Sequence, residues 1–189
     1  MTDAPLRLAV IIGSTREGRV GDRIARWFVA QASGRAGLSV AIVDLASFTF
    51  PAGYPARATP QMSAFAAEVD RADAFVVVTP EYNHSFPASL KQAIDFAYDE
   101  WHAKPVGFVS YGCRSAGQHA VDQLRTVFTA LHAVSVRDWV GVDLLDGGDD
   151  LEAFLAGESP VQAAQVLLDQ LSWWGRTLRS GRAAHPYVS

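Results

Sequence analysis

The sequence predicts an α/β domain in which a five-stranded parallel sheet of order 2-1-3-4-5 is covered by helices on both faces, a doubly wound three-layer sandwich. Three observations carry this reading. Short runs of branched apolar residues alternate along the chain with stretches of helical spacing. The runs are apolar almost throughout rather than at every second position, as strands buried on both faces require. The strongest of them stop at Gly13, Pro80 and Gly112, each just before a loop of unusual composition.

Residues 6–12, LRLAVII, form the first strand. Ile24, Trp27, Phe28 and Gln31 then follow helical spacing, with the apolar members on one face. Residues 40–43 make a second strand ending at Asp44, the Pro/Gly-rich stretch 50–60 is an irregular connection, and 62–72 is helical. The third strand, 74–79, is the most apolar and β-branched and ends at Pro80; the fourth covers 106–111 and the fifth 135–142. Helices over 88–101, 117–132 and 161–178 complete the alternation. The acidic stretch 143–152 and the tail after Ser180 read as solvated connections. Asp146-Gly147-Gly148-Asp149-Asp150 lacks the alternating acidic register of a calcium loop.

A chain of 189 residues suits a single domain spanning 1–189, and 49% apolar against 19% charged residues argues for a packed protein rather than a disordered one. A net charge of -4 gives no general attraction for nucleic acid, so any phosphate site must be local. The single Cys113 excludes an intrachain disulfide, argues against a cysteine-based zinc site, and fits a reducing cytoplasm. The apolar run 8–12 is too short for a secretory signal and follows Asp3 rather than a basic leader, and no run reaches membrane-spanning length. The expectation is a soluble cytoplasmic protein.

In a 2-1-3-4-5 sheet the loops after strands one, three and four are neighbours at the strands' carboxyl ends, where ligands bind in such folds. The first loop, 13–21, reads Gly-Ser-Thr-Arg-Glu-Gly-Arg-Val-Gly and leads into a helix. Its glycines, hydroxyls and free amides at a helix N-terminus suit a phosphate, with Arg16 and Arg19 able to add charge-assisted contacts if Glu17 points away. It is not a Walker A loop, because Arg19 and Val20 follow Gly18; nor is it a full dinucleotide fingerprint, because Thr15 stands where the second glycine belongs, although Asp44 could accept from a ribose. A plain capped turn is the alternative. The second loop, 79–87, offers Asn83 and Ser85 for the polar edge of a heteroaromatic ring such as a flavin and Tyr82 as a flat face; equally, its Asn and Ser could simply satisfy a proline-bounded turn. His84 has no second ligand at metal-site spacing, so no metal is assigned. The third loop, 110–117, again supplies glycines and amides before a helix. Its Cys113 is either an inert thiol, buried or beside the ligand, or a nucleophile of the phosphatase kind, but that motif needs arginine at position 119, which is His119.

Together these loops resemble the NADPH-dependent FMN reductase family of flavodoxin-like proteins. The matching residues are Gly13-Ser14-Thr15-Arg16 with Gly18-Arg19, Pro80-Glu81-Tyr82-Asn83 with Ser85, and Ser110-Tyr111-Gly112 with Gly117; the likeness extends over 87–95 and 104–106. The resemblance implies that Ser14, Arg16 and the 18–21 amides (Gly18, Arg19, Val20, Gly21) hold the FMN phosphate. It implies that Pro80, Glu81, Tyr82 and Asn83 line the isoalloxazine and ribityl chain, and that Ser110, Tyr111 and Gly112 meet the pyrimidine side. The sequence departs from the family at Cys113 and Gln118, where glycines are usual, and at Gln92, where asparagine is frequent. The implied activity is hydride transfer from NADPH or NADH to FMN and onward to a flavin, quinone or azo acceptor, with no separate catalytic residue because the flavin carries the chemistry. An FMN-binding electron carrier without a nicotinamide site, or a flavin-free Rossmann-like dehydrogenase, are the alternatives. Paired subunits are common in the family, so a homodimer or homotetramer is expected. Ile94, Ala97 and Trp101 form one apolar stripe on the 88–101 helix, and Leu90, Phe96 and Tyr98 add apolar surface for a second subunit.

Overall fold

A computed structural model describes residues 4–146 and 150–188. Strands β1 (Leu6–Ile12), β2 (Leu38–Asp44), β3 (Ala74–Pro80) and β4 (Pro105–Gly112) lie parallel in the order β2-β1-β3-β4. The fifth position beyond β4 is shared by two short strands, β5 (Val134–Ser135) and β6 (Val140–Asp143), both parallel to β4. The sheet order 2-1-3-4-5 is therefore as expected, while the single fifth strand over 135–142 is not. Between the pairs Val106↔Ser135 and Val109↔Val140 the outer chain advances five residues against three on β4. The surplus is held by side chains: Arg125 donates to the carbonyls of Val136 and Arg137 at 2.6 and 2.7 Å, and Gln170 accepts from the Asp138 amide at 3.2 Å.

The helices are α1 (Gly21–Ser33), α2 (Pro60–Arg71), α3 (Ala88–Asp95), α4 (Gln118–Ala130), α5 (Leu151–Leu155) and α6 (Glu158–Ala184). Side chains of β3 explain its unbroken apolar run. Ala74, Val76 and Val78 enter the core beneath α1 and α6, whereas Phe75 and Val77 enter the core beneath α2, α3 and α4. With a period of two and both faces covered, no position on such a strand tolerates a polar group without a partner.

Three helical expectations need correction. The helix expected over 88–101 ends at Asp95, and a separate 3-10 turn covers Asp99–Trp101. The Trp101 indole donates to the Ile94 carbonyl at 3.1 Å, taking the acceptor that a continuing helix would give to the Tyr98 amide, which turns to Glu100 at 2.9 Å instead. This places Trp101 in the core against Phe75 and Phe128. Ile94, Ala97 and Leu90 are buried with it, so of the residues expected at a subunit contact only half-buried Phe96 and exposed Tyr98 face outward. Second, the stretch 143–152, expected to be a solvated connection, contains the start of α5, capped by the Asp150 carboxylate accepting from the Ala153 amide at 3.0 Å. Residues 147–149 of the acidic run weighed as a calcium loop lie outside the described residues, as does Asp3.

Third, the last helix runs well past Ser180, where a solvated tail was expected. Arg179 donates to the Ala4 and Pro5 carbonyls at 3.0 and 3.1 Å and to Asp73 at 3.0 Å, while Arg182 donates to the Ala103 carbonyl. These guanidinium contacts moor the final turns to the amino ends of the strands. No helix among the described residues is long and apolar enough to cross a membrane.

Candidate cofactor site

The carboxyl ends of β1, β3 and β4 open onto a cavity of about 360 Å³. Ser14, Arg16, Gly18, Arg19 and Val20 line it from the first loop, Pro80, Glu81 and Tyr82 from the second, and Tyr111, Gly112 and Cys113 from the third, with Leu144 beyond β6. A larger depression, about 800 Å³, lies beside α3 and is lined by residues of neither the first nor the third loop. The smaller cavity is the one at the switch in strand order, where a doubly wound sheet binds its ligand.

Local geometry explains how the loops converge. Glu81 donates its amide to the Tyr111 carbonyl at 2.9 Å, tying the second loop to the third. Gly117 adopts φ +83°, and a Cβ there would come within 2.6 Å of the Ser110 Cβ and 2.8 Å of the Tyr111 amide, so the chain can fold back over β4 only with glycine. Gly21 opens α1 directly against Tyr111, whose hydroxyl would be 2.4 Å from an added Cβ. The N-cap of α1 is Val20, which supplies no side-chain hydrogen bond to the first-turn amides. An uncapped helix start facing a cavity suits an anion.

The two arginines differ. Arg19 is half-buried and pairs with both Asp44 carboxylate oxygens, one at 2.8 Å, and also donates to the Ser14 carbonyl. The hydrogen bond to Asp44 raises its pKa despite partial burial. It therefore braces the loop, and Asp44, weighed as a ribose acceptor, is committed to it and to the Ala46 amide at 3.0 Å. Arg16 is exposed on the cavity wall and forms no ion pair among the described residues, leaving its charge available.

Ser14 is buried, with its hydroxyl 3.5 Å from that of Tyr82. Tyr111 is 4% exposed, and its hydroxyl has no hydrogen-bond partner among the described residues. Burial pushes its pKa well above that of a free phenol, with the neighbouring Ser14 hydroxyl pulling weakly the other way, so it remains a donor across the physiological range. A buried hydroxyl lacking a partner costs about 1–3 kcal/mol unless something supplies one. An orphan donor, a free guanidinium and an uncapped helix start on one wall fit the phosphate of FMN.

Four residues expected at the ligand are not on this wall. Gly21 lies under Tyr111, and Ser110 is buried with its hydroxyl donating to the Ala116 carbonyl at 2.7 Å. Asn83 sits at the tip of a two-residue turn, and Ser85 donates to Gln123 at 2.6 Å and borders the depression beside α3. Cys113 is exposed and lines the cavity. Leu144 was not singled out from the sequence; its place depends on the two-residue surplus before β6, which no local pattern announces. His119, read only as a failed phosphatase position, lies against His84 with parallel rings 4.3 Å apart.

This strand order and its carboxyl-end cavity define a flavodoxin-like protein. The chain belongs to the NADPH-dependent FMN reductase family, whose pattern it matches over residues 6–145. It is similar to an NAD(P)H-dependent FMN reductase of Schizosaccharomyces pombe, 33% identical over 130 residues, which cover 64% of each chain. It is also similar to a quinone reductase of Pseudomonas putida, 33% identical over 127 residues covering 61% of this chain and 67% of that one. The chain thus spans somewhat under two thirds of the length of the first of these relatives. Among solved structures, the flavoenzyme NAD(P)H:(acceptor) oxidoreductase FerB of Paracoccus denitrificans superposes with a TM-score of 0.75 at 20% identity, covering 91% of this chain and 98% of that one, a likeness of fold.

Proposed function

We propose that the chain forms one FMN-binding domain that passes a hydride from NADPH or NADH through FMN to a small-molecule acceptor of the flavin, quinone or azo type. The observation that carries this reading is the cavity wall on which, among the described residues, the Tyr111 hydroxyl has no partner and Arg16 no ion pair, at the start of an uncapped helix. When bound, FMN supplies the centre that accepts and releases the hydride. Arg16, Ser14 and the amides of the first loop hold the phosphate, and Tyr111 donates to it from below. Arg19, locked to Asp44, keeps the loop in the shape that presents those groups. Tyr82 and Pro80 give the ring an apolar wall, and Glu81 with Gly112 borders its polar edge. Cys113 flanks the ligand without reacting. The family membership and the relatives named for FMN and quinone reduction support the assignment.

The visible absorption spectrum of the purified protein tests it, followed by anaerobic addition of NADPH and then NADH. The expected result is a flavin band that either nucleotide bleaches and a quinone restores. A flavin band that neither bleaches would mark an electron carrier, and the lack of any band after loading with FMN would remove the flavin altogether.

The reading extends to a cytoplasmic homodimer. Tyr54, 71% exposed, stacks at a tilt on Phe96 with centroids 5.3 Å apart, and Phe96 rests on Phe50 at 5.0 Å. With Phe86 and Ala88, the rings of Tyr54 and Phe96 line the 800 Å³ depression beside α3. An exposed apolar surface of this kind is best covered by a second copy related by a twofold axis.

A further inference from the structure

We propose that Glu81, His84 and His119 form a binding site for one divalent transition-metal ion of the zinc, nickel or copper class, on the lip of the cofactor cavity. One ligand atom from each of the three lies within 4.8 Å of the others. Donors around a tetrahedral zinc stand roughly 3.4 Å apart for bonds of ~2.1 Å, so a contraction of little more than about 1 Å closes the set. Both imidazoles are exposed, and rotation about their side-chain bonds supplies that movement.

The three residues come from two elements, Glu81 and His84 from the second loop and His119 from α4, that are tied together before any ion arrives. Tyr82 and Ser85 exchange backbone hydrogen bonds of 2.8 and 3.0 Å, closing a two-residue turn in which Asn83 and His84 have φ of 51° and 62°. Such a turn favours glycine at its second centre, yet histidine occupies it. Gln123, one turn beyond His119 on the same face of α4, donates to the His84 carbonyl at 2.8 Å and accepts from the Ser85 hydroxyl at 2.6 Å. The helix that carries one imidazole therefore also clamps the backbone of the other, and the two rings lie parallel within 3°.

Glu81 joins through its backbone-anchored carboxylate. One oxygen, Oε2, accepts from the His119 amide at 3.0 Å, which fixes the carboxylate beside α4 and leaves Oε1 to ligate. Two imidazoles and one carboxylate select borderline ions over magnesium or calcium, which prefer all-oxygen shells. Three protein ligands leave a fourth position open to water or to an oxygen-bearing ligand. Because Glu81 also lines the cavity, an ion held here changes the charge at its mouth without occupying the phosphate wall.

Zinc chloride titrated calorimetrically into the FMN-loaded protein at about pH 7.5 tests the proposal. One saturable site per chain is expected. His84→Gln and His119→Gln should each weaken binding about tenfold or more, with the circular dichroism spectrum unchanged because both side chains are exposed. Cys113→Ser should bind zinc as the parent does. Absence of a saturable site in the parent, unchanged affinity in both histidine variants, or loss of the site in Cys113→Ser would each overturn the assignment.

Discussion

Tyr111 combines two properties that separate a ligand group from a packing group. Its ring is packed in the core beside the cavity, and its hydroxyl has no partner among the described residues. Tyr111→Phe preserves the ring and removes only the donor. Thermal melts of the flavin-free variant should therefore match or exceed those of the parent, while FMN titration should show binding weakened by about 1.5–3 kcal/mol, the usual loss for a hydrogen bond to a charged group. Equal FMN affinity would take the hydroxyl out of the site. Arg16→Ala should weaken FMN by a similar amount, with no change in melting, since the exposed guanidinium forms no ion pair among the described residues. Residue type made the loops legible as ligand-binding, but not which side chains face the ligand. Ser110 and Tyr111 are adjacent on a strand and so point to opposite faces of the sheet; the alternation that buries Tyr111 under α1 turns Ser110 towards the Ala116 carbonyl. Arg19 looked equivalent to Arg16 until its partner Asp44, 25 residues away, came beside it.

Among the elements, α2 ends on an unusual cap. Lys104, 6% exposed, donates from Nζ to the carbonyls of Val69 and Asp70 at 3.0 and 2.8 Å, in the last turn of that helix. Burial, reinforced by nearby Arg182, lowers its pKa to about 8. The folded chain then binds this proton less tightly than the unfolded chain, so the penalty is complete below about pH 8 and is relieved as pH rises towards the ordinary lysine value near 10.4. Stability from urea melts should rise between about pH 8 and pH 10, by about 2–3 kcal/mol at most, and Lys104→Met should abolish that rise. A flat profile in the parent would show that the lysine titrates normally. Strands and most helices could be read because two-sided burial imposes an unbroken apolar run and one-sided burial a 3.6-residue period. The interruptions could not. At 136–139 the outer chain leaves the ladder for Arg125 and Gln170, and after Asp95 the helix yields to a bond from Trp101. These are competitions between backbone and distant side chains, which carry no periodic signature.

For the molecule as a whole, the homodimer reading places the exposed ring of Tyr54 and the half-buried ring of Phe96 between two copies. Sedimentation equilibrium at micromolar concentration should return twice the chain mass, and Tyr54→Glu, which puts a charge into that contact, should shift the distribution to monomer while keeping the fold. A parent that is monomeric and fully active would remove the dimer. The two ends of the sheet also differ in how they meet other chains. On the β4 side the surplus residues and their side-chain clamps break the ladder into two and four residues, so no long row of free amides and carbonyls is presented. On the other side β2 runs seven residues without interruption, with Ile42 49% exposed. Strand-to-strand aggregation under partial denaturation will begin at β2, and a lysine on that edge would slow it where one beside β6 would not.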